Sequence, residues 1–262
     1  MTTEKKSEAP SLNIEGYLAR ITLRRPAHAN RLEPADLDVL MGFCAQLRQD
    51  SQVRAVVLEG EGRHFSAGYD IRRIMEIAGD SATGPLYNPF EALVDAFERL
   101  PQPTIARLHG GVYGGSTDLA LACDFRIGTP ATEMFMPAAQ MGLLYYPSGL
   151  RRYTERLGVR HAKEMFLLGE KIDAAGMLRI GFLNELVPAE ELDQRIAALT
   201  QRLCDQAPLA IRGAKQAIDA LARGQFDLTA FKQLEAQTLR SADLKEGVAA
   251  WAEKRAPRFS GH

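Results

Sequence analysis

Apolar positions along this chain follow one period and then another, and the change marks its organisation. Over 14–23 apolar and polar residues partly alternate, which predicts a strand or hairpin ending at Arg24-Arg25-Pro26. Pro34–Gln49 instead places Leu37, Leu40, Met41, Cys44 and Leu47 at helical spacing, with Pro34 where a first turn tolerates it. Residues 53–58 are short and almost wholly apolar, a buried-type strand stopped by Gly60 and Gly62. The small residues of 65–69 (FSAGY) predict a turn, and Asp70 onward a helix. The Gly- and Pro-rich stretch 79–89 predicts a surface loop placed to act as a lid. A helix over 90–100, a strand over 104–108, four glycines, a helix over 116–122 and a strand over 125–127 follow.

Strand, glycine turn and helix thus recur at a spacing of about 50 residues, which is βα-type organisation. Beyond Gly149, glycines punctuate helices, with one short strand at 184–187. From Ala189 onward strands vanish, and 189–206, 209–222, 228–239 and 242–254 all carry helical periodicity. The pattern predicts an α/β body over 11–190 and an all-helical segment over 191–262.

Two glycine-rich turns follow buried strands, at 60–69 and 110–115. Such turns expose backbone N–H groups, and the first N–H groups of a helix lack internal partners and attract anionic oxygen. Two turns facing one another clamp a carbonyl oxygen from two sides and stabilise an oxyanion. A tight connection with no chemistry is the competing reading of each. Gly60-Glu61-Gly62 lacks the third glycine and the helix of a dinucleotide fingerprint. GxxxxGK[ST] and GxSxG are both absent, which argues against a P-loop and an α/β-hydrolase elbow.

The 262 residues include 32 Lys+Arg and 33 Asp+Glu, a net charge of -1, so no basic excess exists to drive nucleic-acid binding. A hydrophobic fraction of 46% excludes a disordered chain. Cys44, Cys123 and Cys204 are far apart and odd in number, which predicts reduced core thiols and neither a disulfide framework nor a zinc site. The five histidines form no metal set, and His64 and His109 are expected to shape the turns they precede. With neither a signal sequence nor a membrane-length apolar run, the expected location is the cytoplasm.

The stretch VVLEGEGRHFSAGYDI (56–71) closely resembles the signature of the crotonase (enoyl-CoA hydratase/isomerase) superfamily, as does LHGGVYGGSTDLALACDF (108–125). LRRPAHAN (23–30), IDAAGMLRIGFLNELVP (172–188) and the tail EKRAPRFSGH extend the resemblance, in order and with normal spacing. It implies a spiral of ββα units with a helical C-terminal segment, a homotrimer or dimer of trimers, and acyl-CoA thioester substrates. CoA arrives as part of the substrate, with no separate cofactor or metal. The two oxyanion-hole N–H groups map to Tyr69 and Gly115. Ala67, Gly68, Asp70 and Ile71 map to the CoA-binding strand and loop, and Arg25 and Arg72 are candidates for CoA phosphates, or ordinary surface arginines.

Where the family's hydratases carry two glutamates, this sequence has Asp118 and Ala138. Water addition needs a base for the water and an acid for the α-carbon, and one short carboxylate serves both poorly. Asp118 also has the simpler reading of a carboxylate at a helix N-terminus. Tyr145 and Tyr146 occupy the region that flanks the acyl pocket. FSAGYD, the lone acid after the glycine pair and a pocket tyrosine resemble the methylmalonyl-CoA decarboxylase branch, which has His where Tyr69 stands and Glu where Asp118 stands. That resemblance implies loss of CO2 to an enolate, with Tyr145 orienting the leaving carboxylate or protonating carbon and Asp118 positioning a polar partner. A rearranged hydratase/isomerase, a thioester hydrolase and a weakly catalytic CoA-binding protein stay open.

Overall fold

A computed structural model describes residues 8–70 and 87–262. Strands β1 (Ser11–Glu15) and β2 (Leu18–Leu23) form an antiparallel hairpin, followed by helix α1 (Pro34–Gln49) and strand β3 (Ala55–Gly60). Next come α2 (Pro89–Glu98), β4 (Thr104–Arg107), β5 (Gly111–Tyr113) and α3 (Gly115–Ala122). Then follow β6 (Phe125–Gly128), β7 (Glu133–Phe135), α4 (Pro147–Lys163, broken at Gly158), β8 (Ile172–Asp173), α5 (Ala174–Arg179) and β9 (Glu185–Leu186). The chain ends in α6 (Leu192–Cys204), α7 (Pro208–Ala222), α8 (Leu228–Arg240) and α9 (Ala242–Glu253).

The strands form two sheets, one of order β1-β2-β3-β4-β6-β9 and one of order β5-β7-β8. Successive units feed both: β4 joins the larger sheet and β5 the smaller, then β6 the larger and β7 the smaller. The segment after β3 does the same through a parallel bridge from Ser66 to Val112. This one-strand-to-each-sheet repeat is the expected spiral of ββα units. Side-chain alternation buries both faces of the larger sheet. Val56 and Leu58 pack with Leu37, Leu40, Leu93 and Phe97 from α1 and α2. Ala55, Val57, Ile105 and Ile127 pack with Leu192, Ile196, Leu199 and Leu203 from α6.

The four helices read from periodicity beyond 189 are present, though the first begins at Leu192 after a single 3-10 turn at Ala189–Glu191. Helix α7 buries only Pro208 and docks through cations. Arg212 donates to the carbonyls of Ser51 and Val53, and Lys215 to Asp124 and the carbonyl of Gln102. Three strands had no legible pattern: β5 lies inside the glycine-rich turn, and β7 and β8 span three and two residues. Such pieces are too short to show a period of two. The predicted helix from Asp70 and most of the predicted loop over 79–89 lie outside the described residues.

Candidate active site

The two glycine turns meet. Asn30 holds the first in place: its amide donates to the carbonyls of Glu61, His64 and Phe65 at 2.8–3.1 Å, and its side-chain oxygen accepts from Arg25 N–H. Backbone bonds from Ala67 to Ala29, Leu32 to Gly68 and Asp70 to Leu32 then lay 67–70 beside 29–32. The second turn is tied to the first by Ser116, whose hydroxyl donates to the Ser66 carbonyl at 2.7 Å. Gly68 has φ +82°, and a Cβ there would lie 2.6 Å from the Tyr113 carbonyl oxygen and 2.8 Å from the Gly115 nitrogen. Gly68→Ala is therefore expected to destabilise the fold by about 1–3 kcal/mol, the usual cost of overpacking, readable as a lowered urea midpoint.

Gly115 opens α3, so its N–H belongs to the set that a helix leaves without an i−4 partner. The far end of α3 is covered by cations: Arg126 and Arg156 both donate to the carbonyls of Leu121 and Cys123. The N-terminal end is left to face an anion, as the helix dipole favours. Phe90, the second residue of α2, packs against Gly115, where a Cβ would come within 2.7 Å of its ring. The same ring stacks on Tyr69 at 5.7 Å and meets Tyr146 edge-on at 6.3 Å. Tyr69 and Gly115, expected to share an oxyanion, are thus bridged by one aromatic side chain.

Asp118 lies three residues along α3 and is 0% exposed. One nitrogen of Arg152, equally buried, donates to both of its oxygens at 2.7 Å. Tyr146 donates to Asp118 Oδ2 at 2.6 Å, and Tyr145 donates to the Tyr146 oxygen at 3.0 Å. Burial raises the Asp118 carboxyl above its ordinary value, against the opposing pull of Arg152 and Tyr146. Burial, then Tyr145 and Asp118, hold the Tyr146 phenol well above its ordinary value. Tyr146 therefore stays protonated through the neutral range and serves as a donor, not a base. The Tyr145 phenol is raised likewise, first by burial.

Behind Asp118 stands Glu98, 2% exposed, in contact with Arg151, Arg152, Arg156 and Arg223. Burial alone would raise its carboxyl, but Arg152, Arg223 and Arg151 outweigh burial and hold it at about 2. A depressed carboxyl contributes stability that is complete above its unfolded value of 4.5 and is lost as pH falls towards 2. Acid titration followed by circular dichroism is expected to show loss of structure in that window, and Glu98→Gln to flatten it.

The expected site residues do not all converge. Tyr69, Gly115 and Asp118 come together with Ala67 and Gly68, whereas Tyr145 reaches Asp118 only through Tyr146. Arg25 is committed to carboxylates, Glu8 at 2.6 Å and Asp36 at 3.2 Å, which a CoA phosphate would have to displace. Asp70 is buried, with Arg31 at 3.5 Å. Ile71 and Arg72 lie outside the described residues. Ala138 is buried in the turn before α4 and brings no carboxylate. Sequence reasoning missed Phe90, Glu98 and Arg152, whose side chains carry no motif, and passed over Tyr146 in favour of its neighbour. Glu91, beside Phe90, accepts from the Ser148 hydroxyl at 2.9 Å and ties α2 to the start of α4.

The enoyl-CoA hydratase/isomerase family model matches residues 13–262. The chain belongs to the enoyl-CoA hydratase/isomerase family. It is an enzyme of that superfamily acting on acyl-CoA, and its fold is crotonase-like. It is 34% identical to the mitochondrial enoyl-CoA hydratase domain-containing protein 2 of Bos taurus, over 93% of this chain and 84% of that protein. It is 31% identical to the carnitinyl-CoA dehydratase of Salmonella typhi, over 97% and 99%. The crystal structure of an enoyl-CoA hydratase from Bacillus anthracis superposes with a TM-score of 0.84 at 28% identity, covering 97% of this chain and 99% of that one. Among the described residues of this family member, no group of His, Cys, Asp and Glu is placed to hold a metal ion. No described helix is long and apolar enough to cross a membrane.

Proposed function

We propose that this enzyme forms a thioester enolate by decarboxylating a malonyl-type acyl-CoA, and that Tyr146 protonates the enolate carbon. The observation that carries this reading is the state of Asp118, a fully buried carboxyl whose two oxygens are both engaged by Arg152 and Tyr146. A carboxylate so engaged is a poor base for water, and Ala138 offers none in its place. Decarboxylation needs no base. The bond between the α-carbon and the departing carboxylate breaks, and its electron pair moves onto the thioester oxygen. The N–H groups of Tyr69 and Gly115 receive that charge. CO2 leaves, the Tyr146 hydroxyl turns from Asp118 towards the α-carbon, and its proton forms the new C–H bond. Charge left on the Tyr146 oxygen falls on an atom that already accepts from Tyr145, and solvent restores the proton. This revises the expected division of labour: Tyr146 is the donor, and Tyr145 supports it.

Assembly as a homotrimer or dimer of trimers belongs to the same proposal. It is supported by apolar side chains left exposed on the C-terminal helices, among them Ile218, Leu239, Val248 and Trp251. A cytoplasmic location is supported by three buried free thiols. A four-arm assay tests the reaction: crotonyl-CoA hydration, methylmalonyl-CoA decarboxylation, release of free thiol, and binding of a CoA ester without turnover. Decarboxylation as the dominant activity is expected. Dominant hydration, hydrolysis, or binding alone overturns the reading.

A further inference from the structure

The four arginines around Glu98 do not all continue into the site; only Arg152 does. Its Nε donates to Glu98 Oε1 at 3.0 Å, its Nη2 to Asp95 at 2.8 Å, and its Nη1 to both oxygens of Asp118. All three guanidinium nitrogens are occupied, so the plane of the group is fixed. Arg223, at the C-terminal end of α7, reaches the same Glu98 at 3.0 Å and joins the helical segment to this cluster. Burying a carboxylate is costly unless it is well compensated, and its removal leaves the cations facing one another. Without the Glu98 charge, repulsion among the four arginines would displace Arg152, and Asp118 would lose its fixed partner.

We propose that Glu98 is a positioning residue. Through Arg152 it fixes the position of the Asp118 carboxyl and so holds the Tyr146 side chain at one place in the site. The proposal rests on the reading of Tyr146 as the proton donor, but it can be tested without turnover.

A hydroxyl proton held in a 2.6 Å bond to a buried carboxylate gives a downfield proton resonance protected from exchange, assigned by its loss in Tyr146→Phe. In the full-length protein, Glu98→Gln is expected to abolish that resonance. It is also expected to lower kcat on the active CoA thioester by on the order of tenfold to a hundredfold with KM unchanged. Glu98→Asp, which keeps the charge, is expected to retain the resonance and most of kcat. If Glu98→Gln does not fold, Glu98→Gln/Arg223→Gln relieves part of the repulsion and leaves only a neutral acceptor for Arg152 Nε, so the resonance is expected to weaken without vanishing. An unchanged resonance in either folded variant overturns the proposal. So does equal loss in Glu98→Asp and Glu98→Gln, or a wild-type protein with no Tyr146-dependent resonance. Loss of the resonance as expected, in an enzyme whose reaction proves not to be decarboxylation, supports the positioning role and contradicts the functional reading alone.

Discussion

Tyr146→Phe is expected to lower turnover of the active CoA thioester by about 10²–10⁴-fold with little change in KM, the usual loss when a general acid is removed. The substitution deletes one oxygen and keeps the ring, so contacts with Phe90 and Tyr145 persist. The effect then falls on the step in which carbon takes its proton. Tyr145→Phe removes only the bond that Tyr145 donates to the Tyr146 oxygen, and it is expected to cost about tenfold, the worth of roughly one net hydrogen bond. Equal losses in the two variants, or a rise in KM alone, would move the donor role away from Tyr146. Steady-state kinetics on the best thioester of the assay decides between these outcomes.

The largest effect on stability is expected at Arg152. Arg152→Met is expected to destabilise the protein by about 3–5 kcal/mol, because it leaves Asp118 without a cation in a dry interior, while Glu98 keeps Arg151, Arg156 and Arg223. The side chain is 0% exposed, so water cannot replace the lost partner. Asp95, at 18% side-chain exposure, keeps access to solvent and suffers less. The double variant Arg152→Met/Asp118→Leu is expected to recover part of the loss, since it removes both the cation and the carboxylate left without it. Urea unfolding of the single and double variants measures this coupling directly. A single variant as stable as the parent would mean that Asp118 does not depend on Arg152.

Much of the fold was legible because burial wrote it into periods. The alternation of Ala55, Val56, Val57 and Leu58 sends residues to two separate cores, and the spacing of Leu192, Ile196, Leu199 and Leu203 puts one helical stripe onto the sheet. The close approach of the two turns requires glycine at Gly68, where a Cβ would meet the Tyr113 oxygen and the Gly115 nitrogen, whereas at Gly115 a Cβ would meet the Phe90 ring. The ion network was not legible. Glu98, Arg152 and Arg223 are charged residues on helices, and in sequence a buried arginine looks like a solvated one. Nor does sequence separate Tyr145 from Tyr146, adjacent residues of the same type. Only the approach of α4 to α3 decides which of them meets Asp118.

The proposed decarboxylation forms an enolate without a carboxylate base, and that enolate takes its proton at carbon. The direct measurement is incubation of the enzyme with methylmalonyl-CoA in D2O, followed by mass spectrometry of the acyl-CoA product, with crotonyl-CoA in parallel. The account predicts release of CO2, a saturated product carrying one deuterium at the α-carbon, and negligible hydration of crotonyl-CoA. Rapid hydration of crotonyl-CoA with no CO2 released from methylmalonyl-CoA would contradict it.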